Sequence, residues 1–136
     1  MYDLIEGQCH CGRLAFQLET RIGPERIRAR ACACRFCRAH AARTWSDPEG
    51  KAIIKVNDAG ALQRYRFAQK TADYFICRVC GAYLGAVLHE GEKAWSTLNL
   101  RLSELDVPED AVDYDAEDTI AKVDRRKRKW TPTVVC

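Results

Sequence analysis

The residues with the clearest chemical potential are three cysteines within six positions, Cys32, Cys34 and Cys37. A disulfide between two of them would be strained, because bridged Cα atoms normally lie about 4.4–6.8 Å apart with a defined torsion. Convergence of all three sulfurs on one metal ion avoids that strain, and thiolates favour zinc over harder cations. Three ligands leave a tetrahedral ion one position short. The run therefore predicts a zinc site that is open to a substrate.

Four further cysteines stand in two pairs, each followed by a glycine: Cys9-His-Cys11-Gly12 and Cys77-Arg-Val-Cys80-Gly81. Paired turns of this kind build closed four-cysteine zinc sites, whose role is structural and whose metal binding is coupled to folding. We therefore predict two zinc ions per chain, one structural and one catalytic or labile.

Two alternatives stay open for the three-cysteine run. Its sulfurs could share a single cluster with the other four cysteines or hold no metal. His40, three residues after Cys37, could instead supply a fourth ligand and close the site as a structural one.

The expected charge of an open site indicates its ligand. Three thiolates on Zn²⁺ leave a formal charge of −1, which suits the ion to binding a substrate thiol as thiolate better than to making hydroxide. Residues 26–43 contain six arginines and no acid, so they would attract an anionic ligand. We expect Arg35 and Arg38 to matter most. Arg26, Arg28 and Arg30 are expected to form the solvated face of a strand.

Short runs of alternating apolar and polar residues, separated by turn residues, predict a mainly β, mostly antiparallel domain. The predicted strands cover 13–19, 26–31, 51–56, 62–67, 71–76, 83–89 and 94–102. One or two helical turns are expected over 36–43. Residues 103–118 are predicted as loop, and 115–130 as a C-terminal helix with acids leading and cations trailing.

Length and charge divide the chain into a body and a basic tail. A chain of 136 residues forms one domain with a real core. The net charge of +3 is unevenly distributed: the tail, residues 122–136, has a net charge of +5 and the remaining residues have a net charge of −2. No basic segment followed by an apolar run opens the sequence, and no apolar run approaches a membrane span. We expect a cytoplasmic protein without membrane contact, in which cysteines stay reduced and serve metals or catalysis.

These motifs, in this order, resemble the glutathione-dependent formaldehyde-activating enzyme family, which also includes centromere protein V. The similarity covers roughly residues 4–107, which sets the expected domain, with 108–136 as an acidic and then basic extension. It implies a coiled β fold around zinc. It implies further that Cys9, Cys11, Cys77 and Cys80 hold the structural ion, and that Cys32, Cys34 and Cys37 hold the catalytic one. The sequence differs from the usual family pattern at Ala33, Arg35 and Ala39.

The resemblance implies a carbon–sulfur lyase that joins a small thiol, such as glutathione, to formaldehyde to give S-(hydroxymethyl)glutathione. The alternative is a non-catalytic zinc module that contacts nucleic acid or another acidic partner. In that case the basic run 125–129 would meet phosphates and Trp130 would stack on a base. Such a run is more often a solvated helix end, so we favour the lyase.

Overall fold

The computed structural model describes residues 3–136 and is mainly β, with two short α-helices in that range. The strands are β1 (Asp3–Gln8), β2 (Leu14–Thr20), β3 (Ala29–Cys32), β4 (Thr44–Trp45), β5 (Lys51–Val56), β6 (Leu62–Tyr65), β7 (Asp73–Cys77), β8 (Tyr83–Glu90), β9 (Lys93–Asn99), β10 (Glu109–Val112) and β11 (Thr131–Val135). The helices are α1 (Arg35–His40) and α2 (Thr119–Lys129), with 3₁₀ turns at Pro24–Arg26, Ala59–Ala61 and Leu100–Leu102. No helix in the described range is long and apolar enough to cross a membrane.

The strands form one open sheet that branches at β9. One path runs β1-β2-β5-β11-β9-β4-β3-β10, while β6, β7 and β8 join through the pairing of β8 with β9. One edge of β9 pairs with β8, and its other edge pairs with β11 and then with β4. Most pairings are antiparallel, but β3–β10 and β5–β11 are parallel.

The core follows the alternation in the sequence. Leu14, Phe16 and Leu18 on β2 are almost fully buried, whereas Gln17 is half-buried and Glu19 is exposed. A side-chain period of two places alternate residues on one face of a strand, which is the reason for this pattern. A second, smaller apolar cluster surrounds Trp130, which joins α2 to the sheet through Ala72, Ala86 and Leu88.

One prediction about the C-terminal part is wrong, and one strand there was not predicted. Residues 103–118 are not all loop, because β10 pairs in parallel with β3 and so extends the sheet beside the first cysteine of the three-cysteine run. The residues after α2 form β11, which lies between β5 and β9 in the interior of the sheet. The seven predicted strands and the two predicted helical segments are otherwise confirmed, with shifts of up to four residues at their ends. The division of the chain at residue 107 stays a prediction.

Candidate metal centre and the pocket beside it

The two outer cysteine pairs meet at the ends of strands that are far apart in sequence. Cys9 follows β1, and Cys77 is the last residue of β7. With Cys11 and Cys80 they form the four-cysteine cluster, whose sulfurs all lie within 4.8 Å of one another. None of the four is in a disulfide. Two of these cysteines are fully buried and two are half-buried, so the cluster is anchored in the core.

Glycine makes both turns of this cluster. Gly12 and Gly81, each directly after a pair, have φ angles of +82° and +81°, a region that side-chain-bearing residues rarely adopt. Their amides donate to the carbonyls of Cys9 and Cys77 at 3.0 and 2.8 Å. The turns predicted from a glycine after each cysteine pair are therefore confirmed at Gly12 and Gly81.

The spacing of the sulfurs matches a zinc tetrahedron. Cys11 Sγ lies 3.7 Å from Cys9 Sγ and 3.5 Å from Cys77 Sγ. Zn–S bonds of about 2.3 Å give a tetrahedron whose edges are about 3.8 Å. The Leu14 amide donates to Cys9 Sγ at 3.3 Å, and a hydrogen bond from Arg13 lowers the pKa of Cys11 to about 6. The four-cysteine cluster could therefore hold a metal ion of this kind.

The three-cysteine cluster, Cys32, Cys34 and Cys37, is a separate group. Cys32 ends β3, Cys34 caps the N-terminus of α1, and Cys37 lies in its first turns. Their three sulfurs also lie within 4.8 Å of one another. This arrangement contradicts a single cluster of seven cysteines. Hydrogen bonds from Cys32 and then Cys37 lower the pKa of Cys34 to about 2, and the contact with Cys32 raises the pKa of Cys37.

His40 does not complete the three-cysteine cluster. Within residues 3–136, the group of converging ligand atoms contains the three sulfurs and no histidine nitrogen. The His40 ring instead packs on Phe36, with ring centroids 4.5 Å apart, and on Tyr83 at 5.6 Å. The sequence spacing permitted a fourth ligand here, but one helical turn carries the imidazole into an aromatic stack.

Aromatic rings form one wall beside the three-cysteine cluster. Phe36 contacts Phe67, Tyr74 and Tyr83 with centroids 5.1, 4.9 and 4.8 Å away. Burial raises the pKa of Tyr74 and, much further, that of Tyr83, so both remain neutral phenols. The wall excludes water from one side of the sulfurs.

Helix α2 lines a cavity beside the three-cysteine cluster. A cavity of about 80 Å³ beside Cys32 and Cys34 is lined by residues 67–72 and by basic side chains of α2. A second cavity, of about 50 Å³, lies behind Cys32 and Cys37 and is lined by Arg30 and Arg126. The sequence analysis did not place α2 here. The sequence feature that indicates a basic face on this helix is the spacing of Lys122, Arg125 and Arg126, which lie three and four residues apart.

The arginines near the cysteines in sequence behave differently from the prediction. Arg35 and Arg38, expected to matter most, are exposed on α1. Arg28 is exposed as expected and pairs with Asp110 at 2.8 Å. Arg30 was expected to be solvated, but it is half-buried and donates to Ser46.

The basic run after residue 124 is engaged within the protein. Arg125 pairs with Glu117 at 2.8 Å, Lys127 pairs with Glu90, and Arg128 pairs with Asp124 at 3.1 Å. Trp130 is only 4% exposed, so its proposed stacking on a nucleic-acid base is wrong. These contacts give no support to the nucleic-acid alternative.

Comparisons with known proteins agree with the motifs. The family model of the glutathione-dependent formaldehyde-activating enzyme matches residues 4–117. A crystal structure of a Rhodobacter sphaeroides protein is similar to this chain at 27% identity, with a TM-score of 0.58, over 77% of this chain and 99% of that chain. No curated protein matches the chain. The resemblance inferred from the cysteine motifs is confirmed, while α2 and β11 lie beyond the residues that the family model matches.

Proposed function

Because the chain belongs to the glutathione-dependent formaldehyde-activating enzyme family, we propose that it is a zinc-dependent carbon–sulfur lyase. Its substrates would be a small thiol such as glutathione and an aldehyde, or the adduct of the two. The observation that carries this proposal is the three-cysteine cluster, in which three sulfurs converge beside a cavity and no fourth His, Cys, Asp or Glu of residues 3–136 joins them.

The two clusters would divide the work between folding and chemistry. The four-cysteine cluster supplies a complete ligand set, so zinc there would stabilise the fold. The three-cysteine cluster supplies one ligand fewer, which leaves room for a substrate sulfur. Zinc bound at Cys32, Cys34 and Cys37 would supply Lewis acidity that keeps a thiol ionised near neutral pH.

The residues around the three-cysteine cluster would orient the reactants and limit water. The substrate thiolate attacks the aldehyde carbon, and a carbon–sulfur bond forms as the π bond of the carbonyl breaks. The electron pair moves to oxygen, which takes a proton from solvent and becomes the hydroxyl of the product. Phe36 and Tyr83 shield the sulfurs, and holding both reactants in contact removes much of the entropic cost of the reaction.

The direct test is the exchange rate between free glutathione and S-(hydroxymethyl)glutathione, measured by NMR with formaldehyde present. We expect the zinc-loaded protein to accelerate exchange above the spontaneous rate. Cys34→Ser should lower the acceleration by at least about 10- to 100-fold, because loss of a metal ligand costs no less than loss of the groups that hydrogen-bond to it. Cys136→Ser is the matched control, since Cys136 is exposed and outside both clusters. Wild-type acceleration in Cys34→Ser would overturn the proposal.

His40→Gln tests whether the second metal site is open. The expected result is unchanged zinc content and an unchanged rate of zinc release to a chromogenic chelator, because the imidazole packs on Phe36 and does not join the sulfurs. The control is His89→Gln, an exposed histidine 4.0 Å from Asp73. Loss of one zinc equivalent in His40→Gln alone would mean that His40 is a ligand.

A further inference from the structure

The cavity of about 80 Å³ beside the three-cysteine cluster has a wall that the proposed chemistry does not use. That wall comes from α2, which lies beyond residues 4–117 and so outside the match to the family model. The cavity is large enough for several water molecules, and therefore for a carboxylate group. It opens beside Cys32 and Cys34, so a ligand bound there would also reach the sulfurs.

Arg126 is a buried cation whose hydrogen-bond partners are neutral. It is 7% exposed and lines both cavities next to the three-cysteine cluster. Its guanidinium donates to Thr71 Oγ1 at 2.6 Å and to the Tyr74 hydroxyl at 3.3 Å, and it lies 4.8 Å from the ring centroid of Trp130. Its Nε is buried without a hydrogen-bond partner. Within residues 3–136 no carboxylate lies within ion-pair distance of it.

A buried guanidinium without an anion is costly, so its surroundings should provide one. The four basic residues that line this cavity are Lys70, Lys122, Arg125 and Arg126, against one acid, Asp115. Arg125 is already paired with Glu117. The remaining side chains, Lys70, Lys122 and Arg126 against Asp115, carry a net charge of +2, which exceeds the formal −1 of a zinc-loaded three-cysteine cluster. The cavity is therefore positive before a thiol binds and favours an anionic ligand, and Arg126 is its buried cation without a carboxylate partner among the described residues.

We propose that this cavity binds a carboxylate of the thiol substrate, with Arg126 and Lys122 as its cationic partners. The inference rests on the proposed function and narrows it to thiols that also carry a carboxylate. A guanidinium has five N–H donors in a planar fork that suits a carboxylate, and the bonds to Thr71 and Tyr74 use two of them. Lys122 is half-buried one helical turn before Arg126 and adds a mobile charge.

The test compares two thiols that differ only in charge, 3-mercaptopropionate and 3-mercaptopropionamide, by calorimetric titration of the zinc-loaded full-length protein. A charge-assisted hydrogen bond to a buried guanidinium predicts about 10- to 100-fold tighter binding of the carboxylate. Arg126→Met should remove this preference and leave the affinity for the amide unchanged. Lys122→Gln should reduce the preference about 2- to 5-fold. Arg128→Gln is the matched control, because Arg128 is exposed on α2 and pairs with Asp124.

The outcomes separate the two proposals. Equal binding of both thiols to the wild-type protein overturns the carboxylate site and leaves the proposed function standing. Failure of both thiols to bind, and of glutathione to bind when titrated in the same way, overturns the proposed function. In that case 3-(methylthio)propionate, which has no thiol, decides the carboxylate site: binding that depends on Arg126 supports it, and no binding overturns it. If zinc content or melting temperature shows that Arg126→Met is misfolded, Lys122→Gln becomes the test of the carboxylate site. A wild-type preference for 3-mercaptopropionate over 3-mercaptopropionamide in Lys122→Gln would overturn the site.

Discussion

Cys77→Ser is expected to leave the protein unfolded at room temperature, even with zinc in excess. Cys77 is fully buried at the end of β7, and its sulfur lies 3.5 Å from that of Cys11. The cluster thus joins the turn after β1 to the turn after β7, segments separated by more than 60 residues. Binding of structural zinc contributes about 10–16 kcal/mol in small zinc domains, which equals or exceeds the whole stability of a typical domain, about 5–15 kcal/mol. Serine is a poor zinc ligand, so most of that contribution should be lost.

The measurement is the dispersion of amide signals in an NMR spectrum, together with zinc content. Cys136→Ser, which changes an exposed cysteine outside both clusters, should be indistinguishable from wild type. Cys32→Ser provides a second comparison. Its cluster has one ligand fewer and lies beside a cavity, so this variant should lose one zinc equivalent and still fold. A well-folded Cys77→Ser protein with a single remaining zinc ion would contradict the structural role of the four-cysteine cluster.

The two cysteine clusters could be predicted from the sequence because their geometry is local. Two cysteines separated by one or two residues and followed by glycine can form only a few turn conformations, and Gly12 and Gly81 adopt the left-handed one. The two pairs were expected to meet because together they supply the four ligands of one tetrahedral ion. Cys32, Cys34 and Cys37 are not needed for that ion, so they could be predicted to form a separate group.

The surroundings of the three-cysteine cluster could not be predicted in the same way. Proximity in sequence pointed to Arg35 and Arg38, but a helical turn directs both into solvent. Lys122, Arg125 and Arg126, which line the cavity, are about 90 residues away, on α2, and reach it because β11 returns the chain into the sheet. A run of basic residues does not indicate which of its side chains are buried. In this protein the packing of Trp130 against Leu88 fixes the orientation of α2 and so buries Arg126.

Sequence analysis missed four strands, β1, β4, β10 and β11, and the last two of these have weak strand patterns. β10 is preceded by Pro108 and begins with two acids, and β11 contains Pro132. Both pair in parallel with strands that are distant in the sequence, so no hairpin turn signals them. The proline in β11 is tolerated because the strand's pairing with β9 is only two residues long, and its pairing with β5 begins at Thr133.

Removal of residues 131–136 is expected to unfold the protein, although it leaves every cysteine of both clusters in place. β11 lies between β5 and β9, so its removal exposes the edges of two interior strands. The fully buried Thr131 accepts a hydrogen bond from the Asp47 amide at 2.8 Å, and Cys136 exchanges backbone bonds of 2.8 and 2.9 Å with Val56 and Ile54. Loss of these contacts together should exceed the stability of a domain of this size.

Point variants on β11 make this prediction quantitative. Thr131→Val should lower the free energy of unfolding by about 1–3 kcal/mol, because the buried Asp47 amide loses its acceptor while the shape of the side chain is kept. Val134→Thr is the matched control: its side chain is 62% exposed on the same strand, so the change should stay within about 0.5 kcal/mol. Urea unfolding of the zinc-loaded proteins measures both. A truncated protein that folds and retains its zinc would contradict this prediction and show that β11 is dispensable for the fold. Unfolding of that protein would make β11 part of the fold that brings the two cysteine clusters together.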